Sequence, residues 1–122
     1  NKQIVKELLQ NVFMKGEMDK IATYINPTQY IQHNPNVPDG LDGLGTALTN
    51  MAKQGMQMEY TTIHKVMGEG NFVLTMSEGK LGGKPTAYYD LFRLEDGQIV
   101  EHWDVIEPIL PKSEWKNDNG KF

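Results

Sequence analysis

The run Tyr88-Tyr89-Asp90-Leu91-Phe92-Arg93-Leu94-Glu95-Asp96-Gly97-Gln98-Ile99-Val100-Glu101-His102-Trp103-Asp104-Val105-Ile106 reads as two β-strands around a tight turn. Side chains two apart share a face of a strand, so His102 and Asp104 lie among Val100 and Ile106, and Asp90 lies between Tyr88 and Phe92. Ionisable groups on apolar strand faces need a partner or a task, because an unpaired buried charge costs several kcal/mol. Two neighbouring strands therefore offer acids and an imidazole to one enclosed space, the pattern of a pocket built for proton transfer.

The turn decides which groups meet. A three-residue loop with Gly97 in a left-handed bulge pairs Leu94 with Gln98, which sets Asp90 opposite His102 and Tyr88 opposite Asp104 on one face. The rival is a two-residue Asp96-Gly97 turn, which would send Asp90 and Asp104 to opposite faces. The bulged turn is favoured because it gathers the ionisable groups. The reverse face then carries Tyr89, Leu91, Ile99, Trp103 and Val105 with Arg93 and Glu101, too apolar to be left in water. A second subunit is expected there, and a homodimer is the commonest closed arrangement.

Upstream, Ile4, Val5, Leu8, Leu9, Val12 and Phe13 recur at helical spacing, with Gly16 placed to end the helix. Met18, Ile21, Ala22 and Ile25 give a shorter helix before Pro27, and Tyr30 to His33 is a brief extended piece. Residues 35–43, rich in proline and glycine, read as a loop. Leu44, Leu48, Met51 and Ala52 mark a third helix closed by Gly55. Everything after Gly55 reads as strand: an alternating stretch from Met56 to Val66, then 72–79, 86–94 and 98–106, with an irregular tail from Pro108. Helices followed by an antiparallel meander make an α+β fold, with about three N-terminal helices covering one sheet face.

The chain of 122 residues reads as one domain, 1–122. Its 39% hydrophobic and 23% charged residues are ordinary for a soluble globular protein. A net charge of −4 with no basic run argues against nucleic acid or an anionic membrane as partner. No apolar stretch is long enough to span a bilayer, and no secretory signal is read, so a cytoplasmic location is the default expectation. Without cysteine there is no disulfide framework, thiol nucleophile or thiolate metal site.

Asp104 leads the candidates, since an apolar cavity raises its proton affinity and makes it a general base. Asp90 is expected to hold His102 in one tautomer or to share its proton. His33, at the exit of the extended piece Tyr30-Ile31-Gln32-His33-Asn34-Pro35, is a further catalytic candidate beside the Asn34 amide and the Tyr30 phenol. Tyr30, Asn34, Tyr88, Phe92 and Thr75 are expected to contact a bound molecule, with Tyr88 able to donate to a substrate oxygen. His64 is read as structural. The segment Gly79 to Pro85 has the wrong spacing for a phosphate loop, residues 39–43 lack the ligands of a calcium loop, and no serine-hydrolase elbow exists. Three scattered histidines show no close pair for zinc, and the seven methionines suit a core or an adaptable pocket.

With Tyr30 to Pro35, Val37 to Gly40 and the long run Asp90 to Val105, the chain resembles SnoaL-like proteins of the NTF2-like superfamily, in the branch described as aldol-condensation-catalysing. The resemblance follows the element order over nearly the whole chain. It implies a curved antiparallel sheet wrapped by helices into a cone, dimeric through the sheet. In polyketide cyclases of this superfamily an aspartate at the position of Asp104 is the acid/base of an intramolecular aldol closure, with no metal or organic cofactor. The partner position on the preceding strand is a histidine there and Asp90 here, and histidines often found near Thr75 and Ser77 are missing. Two functions follow as expectations. One is a cofactor-independent enzyme acting on a small apolar carbonyl compound by aldol-type cyclisation, condensation or isomerisation. The other is a dimeric module that binds such a molecule without turnover.

Overall fold

The computed structural model describes residues 1–122. Helix α1 (Lys2–Glu7) runs without a break into a π-helical stretch over Leu8–Met14, and Gly16 ends it with a positive φ of 76°. Leu8, Leu9 and Phe13 of this stretch face the interior, and π-helical turns of this kind often occur near functional sites. A 3-10 turn over Met18–Lys20 leads into the short α2 (Ile21–Tyr24), and the extended piece forms strand β1 (Ile31–Gln32). Helix α3 spans Gly40–Lys53, beginning inside the segment expected as loop. Gly40 enters it from a left-handed conformation, so glycine there starts a helix as well as ending a turn.

Four long strands follow: β2 (Met58–Glu69), β3 (Phe72–Leu81), β4 (Lys84–Glu95) and β5 (Gln98–Pro108). The sheet order is β1-β5-β4-β3-β2, an antiparallel meander with β1 added in parallel at its edge. The purely antiparallel sheet expected from the sequence is thus amended by one short parallel pair. The helices close over one face, where Val5, Leu8, Leu9, Val12, Ile25, Val73, Leu94 and Ile99 are almost wholly buried. Each such aliphatic side chain contributes about 1.5–3 kcal/mol on burial, which holds the helical cover to the sheet.

The register between β4 and β5 differs from the favoured reading. Glu95 pairs with Gln98 across a two-residue turn in which Asp96 and Gly97 both have positive φ, 49° and 77°. One residue further along, the ladder shifts: Leu94 pairs with Ile99, but Arg93 pairs with Glu101, leaving Val100 as the extra residue of a bulge. Without it the turn would have set Asp90 against Trp103. With it Asp90 lies directly opposite Asp104, and His102 opposite Phe92. The bulge expected at Gly97 has moved into the strand, and its effect on the faces is the same. Ile99, expected outside, is instead wholly buried.

The tail after β5 folds back over part of the outer face. Tyr89 donates its hydroxyl proton to the Lys121 carbonyl at 2.6 Å, and Phe122 stacks on His64 with ring centroids 4.1 Å apart. No helix is long and apolar enough to cross a membrane.

Candidate functional site

Beneath the helices the inner face of the sheet forms a slot lined by 18 residues, 13 of them hydrophobic. It encloses about 530 Å³ of unfilled space including its open mouth, most of it too tight for the centre of a water molecule. Leu8, Leu9 and Phe13 come from the first helix, Leu44, Leu48 and Met51 from α3, and Met58 and Tyr60 from β2. The polar groups converge on one side: Asp90 from β4, His102 and Asp104 from β5, and Tyr30, Gln32 and Asn34 on and beside β1. No lysine or arginine lines the slot.

The hydrogen bonds among these groups form one network. His102 Nε2 lies 2.8 Å from Asp90 Oδ1 and 3.9 Å from Asp104 Oδ2. The Tyr60 hydroxyl donates to Asp90 Oδ2 at 2.7 Å, so both carboxyl oxygens of this buried acid are engaged. His102 Nδ1 lies 2.9 Å from Gln32 Oε1, and Gln32 Nε2 donates to the Tyr30 hydroxyl at 3.0 Å. Asn34 Nδ2 donates to both oxygens of Asp104, at 3.1 and 3.2 Å.

Electrostatics separate the two acids by environment. Burial pushes the Asp104 carboxyl above the usual range and the Asp90 charge adds to this, while His102 and the Asn34 amide act against it. Asp104 keeps 11% of its side chain exposed and borders the cavity, whereas Asp90 is 2% exposed and enclosed. Burial first, then the nearby carboxylates, push the Tyr30 and Tyr60 phenols up, so both remain protonated donors. Tyr30 accepts from Gln32 and still has its own proton to give.

Six of the residues expected from sequence are brought together: Asp104, Asp90, His102, Tyr30, Asn34 and Phe92. Three are not. His33 follows Gln32 on the alternating strand and so faces outward; it stacks on Trp103 with centroids 4.7 Å apart and bonds Glu101 at 2.7 Å. Tyr88 is fully buried beside the site, its hydroxyl donating to the Lys80 carbonyl at 2.7 Å. Thr75 pairs with Asp90 but is enclosed under the sheet, away from the slot lining. His64, read as structural, bonds Glu78 on the outer face. Sequence reasoning missed Gln32 and Tyr60. Alternation with Tyr30 and Asn34 placed Gln32 on the pocket side, and this was the available signal; Tyr60 reaches Asp90 across two strands, which no local pattern shows.

Asp90, His102 and Asp104 each offer a ligand atom, all within 4.8 Å of one another, so the close group not visible in sequence does exist and could hold a divalent cation. Coordination by His102 Nε2 would compete with its hydrogen bond to Asp90. As arranged, both Asp90 oxygens and both His102 nitrogens have partners within the protein.

The family model described as SnoaL-like domain matches residues 5–102. Among curated proteins no relative matches the chain. A Xanthomonas campestris protein of unknown function with a cystatin-like fold superposes with a TM-score of 0.72 at 24% identity, covering 87% of this chain and 90% of that one. An NTF2-like protein from Cytophaga hutchinsonii gives 0.68 at 21% identity, with coverages of 88% and 91%. A polyketide-cyclase candidate from Acidithiobacillus ferrooxidans gives 0.67 at 15% identity, with coverages of 87% and 88%. At these identities the solved structures speak for the fold, an NTF2-like α+β cone. The family match spans most of the sequence, and the chain belongs to the SnoaL-like domain family.

Proposed function

We propose that the slot is a cofactor-independent acid/base site for a small, largely apolar carbonyl compound. The observation that carries this reading is Asp104, a carboxylate with raised proton affinity at the edge of an apolar cavity, bonded by one amide and 3.9 Å from a histidine. Asp104 takes a proton from the carbon next to the carbonyl, becoming a neutral carboxylic acid as the substrate becomes an enolate. The Tyr30 hydroxyl, with its own proton free, donates to the developing oxyanion, the electrostatic stabilisation such steps require. Asp90 and Tyr60 hold His102 beside Asp104. The enolate then closes on a second carbonyl or is reprotonated elsewhere, giving aldol-type cyclisation, condensation or isomerisation. The likeness to a polyketide-cyclase candidate supports the same chemistry.

The test is deuterium exchange from heavy water into the α-position of a small hydrophobic β-keto ester, followed by NMR. Asp104→Asn is expected to keep the fold and to slow exchange by about 10²–10⁴-fold, the usual worth of a positioned base. Exchange equal to wild type would refute the assignment.

A binding module is the second reading, favoured by one observation: both Asp90 oxygens and both His102 nitrogens already have protein partners. Saturable binding of the same ester without exchange would decide for it. In either case the outer sheet face is the proposed dimer contact, since Phe72, Leu74, Leu91, Trp103 and Val105 remain partly or largely exposed beside the strip covered by the tail.

A further inference from the structure

We infer that Gln32 is a positioning residue that fixes the tautomer of His102, so that Nε2 alone faces the two aspartates and a single proton is shared there. The argument begins with the orientation of the Gln32 amide. Its Oε1 accepts from the Asn34 backbone N–H at 3.0 Å, and a backbone N–H can only donate. The carbonyl end is therefore fixed toward Asn34, and the amino end goes to the Tyr30 hydroxyl at 3.0 Å. That same Oε1 lies 2.9 Å from His102 Nδ1. Since the oxygen has no proton to give, Nδ1 must carry one.

The consequence passes through the ring. With Nδ1 protonated, a neutral His102 has its lone pair on Nε2, 2.8 Å from Asp90 Oδ1. Two lone pairs facing each other at that distance repel, so the geometry favours a proton held between Nε2 and Asp90 Oδ1. Asp104 Oδ2, 3.9 Å away, is the second carboxylate oxygen beside Nε2. Gln32 thereby makes His102 a relay with one working end. The two-residue β1 exists where this is needed, pairing Gln32 with His102 in parallel register.

That this relay recharges Asp104 rests on the acid/base reading above; the tautomer itself does not, and the two are measured separately. The first measurement is a long-range proton–nitrogen NMR correlation on 15N-labelled protein without ligand, with His33 and His64 as internal comparisons. Wild type is expected to show a protonated Nδ1 on His102 at every pH at which the chain stays folded. Gln32→Met keeps length and removes the carbonyl, and Nδ1 is expected to lose its proton in the neutral ring as Nε2–H turns to Asp90. Gln32→Glu restores an acceptor and should restore the wild-type pattern. An unprotonated Nδ1 in neutral His102 of wild type or Gln32→Glu overturns the inference, as does a Gln32→Met spectrum like wild type. Should Gln32→Met fail to fold, the wild-type and Gln32→Glu spectra decide alone. Deuterium exchange by Gln32→Met is expected to fall about 10–100-fold, by analogy with metal-bound histidines that lose the partner orienting their other nitrogen. Unchanged exchange with an altered tautomer would remove the relay and leave the Gln32 contact.

Discussion

Asp104 and Asp90 are one residue type in two environments at one site, and substitutions should separate them. The folded pKa of Asp104 lies above its unfolded value because burial disfavours the charge. The protonated form therefore favours folding, a contribution complete below the unfolded carboxyl range and lost as pH rises through the folded pKa. At neutral pH the charged Asp104 is a cost to the fold, so Asp104→Asn should be the more stable of the two there. Urea unfolding should show that advantage shrinking in mildly acidic solution, and a difference independent of pH would contradict it. The same shift predicts that exchange activity rises with pH along a limb lying above ordinary carboxylate values. Tyr60→Phe removes the donor to buried Asp90 and should cost about 1.5–3 kcal/mol in the same assay, the usual price of a lost bond to a charged group.

At the scale of elements, irregularities place the chemistry. The extra residue Val100 in β5 turns an Asp90–Trp103 pairing into an Asp90–Asp104 pairing. In β2 the register shifts between Tyr60 and Thr62, beside Gly79 of β3. A methyl group on Gly79 would collide with the Glu59 carbonyl, so the strands can approach there only because glycine has no side chain. Gly79→Ala is expected to lower stability by about 1–3 kcal/mol, as overpacking commonly does. It should also disturb the bond from Tyr60 to Asp90, observable as a changed environment of His102 in the NMR spectrum. A stability equal to wild type would mean that the bulge is not constrained at this point. Bulges of this kind bend their strands, and the slot lies on the side of the sheet enclosed by the helices.

At the scale of the whole molecule, the outer face is shared between the chain's own tail and open apolar surface. Tyr89, His64 and Phe122 form the covered part, and Val105, 57% exposed, stands in the open part. The proposed dimer predicts that wild type scatters light as two chains, and that Val105→Lys gives single chains with an unchanged circular dichroism spectrum. A monomeric wild type would leave the tail as the sole cover of that face. His33 belongs to this surface, stacked on Trp103 and bonded to Glu101, and does not reach the slot.

The sequence by itself determined the element order, the strand faces and the presence of acids and an imidazole on an apolar side, because these follow from local periodicity and turn chemistry. Alternation put His102 with Asp104 and set Tyr30 and Asn34 on the same side as Gln32, whereas Asp90 joins them only through the bulge at Val100. What only the tertiary structure decided depends on contacts between residues far apart in the chain. The parallel pairing of β1 with β5 turned His33 away and brought Gln32 to His102; the bulge fixed which acid meets which; the long reach of Tyr60 satisfied Asp90. A strand's faces are written in its own period of two, but its register and neighbours are chosen by the free energy of the assembled core.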